Sequence, residues 1–67
     1  MNEIITKEVM QQYEKVRSGG ACNMVDYYCV INTAYAFKLY DLAELEREDY
    51  FFILSNYSEL TEKFNIK

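Results

Sequence analysis

The chain has 67 residues, 51% of them hydrophobic, with no Pro, Trp or His. Its net charge of −4 lies in one place, because Asp41–Asp49 holds five of the 11 acidic residues and one of the seven basic ones. This length allows one domain with one small core, over residues 1–67, and without His there is no Ser-His or Cys-His nucleophile pair and no commonest zinc ligand.

The expectation is therefore a non-enzymatic chain without cofactor or metal. Seven Tyr and four Phe are too many for so small an interior, so some face solvent or another chain. A core of this size supplies roughly 3–5 kcal/mol, which leaves room for a second source of stability such as self-association. Cys22 and Cys29 are spaced C-x6-C. On one helix they would stand about 10 Å apart, beyond disulfide reach; with Cys22 in a loop that objection weakens. The favoured expectation is two reduced, half-buried thiols. Met1-Asn-Glu-Ile-Ile-Thr has no basic n-region or apolar run, and no apolar stretch approaches about 20 residues, so the expected setting is the cytoplasm, away from membranes.

In chain order, residues 3–18 read as an amphipathic helix, because Ile5, Val9, Tyr13 and Val16 recur on one face. Asn2 or Thr6 can cap its start, Glu3 and Glu8 suit its dipole, and Gly19-Gly20 supplies a positive-φ stop. A second helix is expected from Asn23 to Phe37 or Lys38, capped by Asn23 with Asp26 reaching back, and burying Val30, Ala34 and Phe37, with Met24 and Tyr27 extending that stripe. Beyond it no Gly or Pro marks a turn. Leu42 and Leu45 share a face that Phe52 and Ile53 would extend, but one continuous helix would put Asp49 on the apolar side. Two helices, about 40–47 and 49–55 with a break near Glu48, fit better. Glu59–Phe64 adds a last turn or two with Leu60 and Phe64 on one side. The fold class is all-α, a small bundle of three to four short helices.

The run Val16-Arg17-Ser18-Gly19-Gly20-Ala21-Cys22-Asn23-Met24-Val25-Asp26 resembles a domain-of-unknown-function family of small proteins in Firmicutes and their phages. That family's pattern reads I-R-x-S-G-x-x-N-M-F-D, then V, A, F-Y-E-L and Y-x-x-F-I. Arg17, Gly20, Asn23, Met24, Asp26, Val30, Ala34, Tyr40, Leu42, Tyr50 and Ile53 stand at matching positions. Three features depart from it: Val25 replaces an aromatic, Gly19 stands at the usual Ser, and the stretch between Leu42 and Tyr50 is about one helical turn shorter. The resemblance implies a helical fold and a mobile-element setting, and no activity.

Three features compete for a functional role. Asp41, Glu44, Glu46, Glu48 and Asp49 form a negative segment suited to a host protein with a basic surface; as a solvated helix face, with Arg47 three residues after Glu44, it needs no partner. Tyr28, Tyr35 and Tyr40 are candidate apolar contacts, Tyr28 and Tyr35 being seven apart on one face. The turn holding Arg17, Gly20 and Asn23 opens onto a helix start and offers N–H groups to an anion or nucleotide, although Asp26 opposes a negative ligand. Scattered basic residues exclude a nucleic-acid footprint. The expected function is a phage or mobile-element protein that docks on a host protein, with inhibition of host defence as one form. An anion- or nucleotide-binding module and a structural homo-oligomer are the alternatives.

Overall fold

The computed structural model describes residues 5–66, which form an all-α bundle. Five helices follow one another: α1 Lys7–Gly19, α2 Tyr27–Ala36, α3 Tyr40–Ala43, α4 Arg47–Ser55 and α5 Tyr57–Phe64. That is one more than the upper end of the expected three to four, because the tail, expected to add a turn or two over Glu59–Phe64, forms a helix of its own that starts at Tyr57.

Helix α1 starts where Thr6 Oγ1 accepts from the Val9 amide, at 3.3 Å. The expected start at residue 3 and the alternative cap Asn2 lie outside the described residues, and Ile5 is buried ahead of the helix rather than within it. Gly20 ends α1 at φ +71°, its amide donating to the Arg17 carbonyl, in the conformation glycine adopts without a Cβ penalty.

Helix α2 begins later than the expected Asn23. Asn23 Oδ1 instead accepts from the Val25 amide two residues on, and Asp26 becomes the cap, its carboxylate accepting from the Cys29 amide. Two Asx residues three apart each offered a start, and the turn closed by the Asp26 amide on the Asn23 carbonyl took the first. At its other end, the Lys38 amide donates to Tyr35 and the Leu39 amide to Ala34, a Schellman ending with Lys38 at φ +62° in the position glycine usually takes. This stop turns Phe37 outward, 62% exposed, where the periodicity expected it buried.

The expected bipartite segment is present with its break moved. Helix α3 stops at Ala43, residues 44–46 are a linker whose Leu45 is buried, and α4 starts at Arg47. Asp49 therefore rides in the first turn of α4, where a carboxylate complements the helix dipole, and no break at Glu48 is needed. Of the two residues expected on the buried face, Ile53 is buried and Phe52 is exposed, its place taken by Tyr50.

The core joins Val9, Met10, Tyr13 and Val16 of α1 to Val30 and Ala34 of α2, Leu42 and Ala43 of α3, Leu45, Tyr50 and Ile53, and Leu60 of α5. Helix α1 is its spine, packed on α2, α3 and α5. Gln12 ties α1 to α3 twice: its Oε1 accepts from the Leu42 amide at 2.9 Å and its Nε2 donates to Asp41 at 3.1 Å.

The cysteines are bonded to each other, contrary to the favoured expectation of free thiols. Cys22 lies in the loop, and the turn at 23–26 folds that loop back so that its Cα comes within 5.9 Å of the Cα of Cys29 in the first turn of α2. The one-helix spacing does not apply, and the pair meets the reach a disulfide needs. Thr33 Oγ1 lies 3.2 Å from the Cys22 sulfur.

Candidate interaction surface

Tyrosines connect the two halves of the bundle. From Tyr57 through Tyr13 and Tyr50 to Tyr27 and Tyr28, neighbouring ring centroids stand 5.2–6.0 Å apart, in the tilted and edge-on arrangements that aromatic quadrupoles favour. Tyr50 is fully buried and donates its hydroxyl to the Met24 carbonyl. Tyr27 donates to the Leu45 carbonyl at 2.5 Å, and Tyr57 donates to Glu14. Burial pushes the hydroxyl groups of Tyr50, Tyr13 and Tyr27 above the usual phenol range. For Tyr57 the hydrogen bond to Glu14 is the chief cause of a shift in the same direction.

The predicted contact tyrosines are exposed. Tyr28 is 62%, Tyr35 51% and Tyr40 49% accessible. Tyr35 and Tyr40 meet edge-on across the α2–α3 turn, with centroids 6.2 Å apart, and the outward Phe37 lies between them in sequence. Helix α2 carries no charged side chain, and the charge-free run extends from Tyr27 to Phe37. A buried face needs only part of such a run. Val30 and Ala34 go inward while Tyr28, Asn32, Tyr35 and Ala36 face solvent. Sequence reasoning missed Phe37, and the length of the charge-free run was the signal that could have found it.

The five acids do not act alike. Asp41 is engaged by Gln12, whereas Glu44, Glu46 and Glu48 are exposed; Asp49 is half-buried in the first turn of α4. The only ion pair among the described residues joins Arg17 to Glu14, so these acids make none with any other described residue. Arg47, the one base in the segment, turns onto α2: it donates to the Tyr28 hydroxyl at 2.6 Å and its guanidinium lies 5.1 Å from the Tyr28 ring centroid. That cation–π and hydrogen-bond clasp links the acidic segment to the aromatic helix.

Each residue proposed for anion binding has another partner. Arg17 pairs with Glu14 at 3.3 Å and lies 5.5 Å from the Tyr57 ring centroid, toward α5. Gly20 serves as the stop of α1, and the Asn23 side chain is engaged in its own turn. Among the described residues no concave pocket is present, no group of three metal-ligating side chains gathers, and no helix is long and apolar enough to cross a membrane. Comparison of the chain with protein-family models, with curated proteins and with solved structures gives no match.

Proposed function

We propose that this chain is a non-enzymatic binding protein that docks on a protein with a basic surface through the outer face of α2 and the acids that follow it. The observation that carries this reading is the adjacency in the chain of a charge-free helix with solvent-facing Tyr28 and Tyr35 to a segment whose Glu44, Glu46 and Glu48 are exposed and make no ion pair among the described residues. Aromatic anchors supply contact area at low entropic cost, and unpaired carboxylates steer a positive partner. Tyr40 and Phe37 extend the apolar part at the α2–α3 turn. The resemblance of Arg17–Asp26 to phage proteins supports a host protein as that partner, with antagonism of host defence as the role.

The test is capture from bacterial lysate on the immobilised chain, with elution by stepwise salt. A partner retained by the natural chain should be lost with Glu44→Lys/Glu46→Lys/Glu48→Lys and, independently, with Tyr35→Ser, while circular dichroism shows both variants helical. Retention of the same protein by both variants, with unchanged salt dependence, would refute the reading.

A further inference from the structure

Three tyrosine hydroxyls cross between the disulfide-bearing segment and the acidic one. Tyr50 of α4 donates to the carbonyl of Met24, which lies inside the loop closed by Cys22 and Cys29. Tyr27 and Tyr28, adjoining Cys29 at the start of α2, hold the Leu45 carbonyl and the Arg47 guanidinium. Ala21, Asn23 and Val25 of the loop are exposed, and its internal bonds are the two that form the 23–26 turn; apart from the bridge it is held by the half-buried Cys22 and Met24 side chains packed against the core, by the Cys22–Thr33 contact and by the Asp26 cap. The bridge is the one covalent tie among these attachments of the loop that carries Met24, and through Tyr50, Tyr27 and Tyr28 it bears on residues 45–50.

We propose that the Cys22–Cys29 bridge is a redox switch for the acidic segment: reduction by a dithiol frees the 22–26 loop and changes how residues 44–49 and Arg47 are presented. This rests on the docking reading only for its consequence; the coupling itself is a property of the chain. In the reaction a thiolate of the dithiol bonds to one cysteine sulfur, the bridge breaks, and the other cysteine leaves as a thiolate that takes a proton. The dithiol's second sulfur, as a thiolate, then attacks the mixed disulfide, releasing the remaining cysteine, which is protonated in turn. Two electrons and two protons pass to the protein, and the reductant ends as a disulfide.

The experiment records amide chemical shifts of the full chain, oxidised and after dithiothreitol, with reduction verified by a mass gain of two hydrogens. Chemical shifts report the folded state and do not follow a simple loss of stability. The proposal expects helicity to persist and the amides of Leu45–Asp49 to shift along with those of Ala21–Cys29, and Cys22→Ser/Cys29→Ser to show the reduced pattern without responding to reductant. Shifts confined to Ala21–Cys29 would overturn it, as would loss of all helicity on reduction, which would make the bridge a structural staple. Partner capture in both states separates the two readings. A partner held equally in both keeps docking and removes the switch's consequence, whereas coupled shifts with no partner keep the switch and count against docking.

Discussion

Tyr50→Phe isolates one hydroxyl in the middle of the bundle. Tyr50 is fully buried and its hydroxyl donates to Met24, so the ring's packing survives the substitution and only the hydrogen bond is lost. A net intramolecular hydrogen bond contributes about 1 kcal/mol. Met24 is half-buried rather than part of the sealed core, so the cost should stay near that figure rather than the full penalty of an acceptor orphaned in an apolar interior. The same hydroxyl carries a pH signature. Burial raises its folded-state pKa above the unfolded value, so its contribution is complete below about pH 10 and is lost as pH rises from there through the folded pKa. While the folded form stays protonated, the natural chain loses up to about 1.4 kcal/mol per pH unit above pH 10 from this group alone. The phenylalanine ring of the variant does not titrate. The variant should be less stable by about 1 kcal/mol at neutral pH, and the two stability curves should converge and meet near pH 11. Urea unfolding followed by circular dichroism, repeated across this range, gives the comparison. A stability gap that stays constant from neutral pH to about pH 11 would refute the burial argument, and no gap at neutral pH would refute the assignment of that hydroxyl's partner.

Other substitutions test separate parts of the fold. Removing the bridge with Cys22→Ser/Cys29→Ser should cost about 2–3 kcal/mol by the loop-closure relation for its sequence separation of 7, read as a lower urea midpoint with helicity retained at zero denaturant. Lys38→Gly should stabilise by about 0.5–1 kcal/mol, because Lys38 sits at φ +62° in a Schellman ending that a glycine adopts without Cβ strain; a fall in melting temperature would contradict that geometry. Thr6→Ala should cost about 1 kcal/mol through the lost cap of α1. Gln12→Ala should cost about 1–3 kcal/mol, since it releases both the Leu42 amide and Asp41 at the start of α3. An unchanged thermal midpoint in either of the last two would remove the corresponding contact from the account.

What was legible in the sequence was mostly what depends on neighbours in the chain. Val9, Tyr13 and Val16 on the face of α1, Thr6 as one of its two expected caps and the Gly20 stop are local features, and they stand where the spacing put them. The division of residues 40–55 into two helices was also legible, from the conflict between Asp49 and the apolar face, but the location of the break depended on Leu45 entering the core from a linker. The bridge could not be read because it turns on a competition between two Asx residues, Asn23 and Asp26, that decides whether Cys22 is in a helix or a loop. Of the candidate surface, the exposure of Tyr28, Tyr35 and Tyr40 follows from having more aromatics than the interior can hold. The clasp of Arg47 on Tyr28 joins residues 19 apart and needed the tertiary fold to appear.

The tyrosine cross-links also govern how this sequence is free to drift. Two of the three hydroxyls that join the bundle's halves hold main-chain carbonyls, those of Met24 and Leu45, rather than side chains. Every residue carries such a carbonyl, so positions 24 and 45 can change without breaking the hydrogen bond, subject only to packing. The donors have no such freedom, since no other side chain puts a hydroxyl at that distance on a flat apolar ring. Among homologues, tyrosine should persist at position 27 while its partner at 45 varies, and the Tyr28–Arg47 contact, made between two side chains, should be kept or lost as a pair.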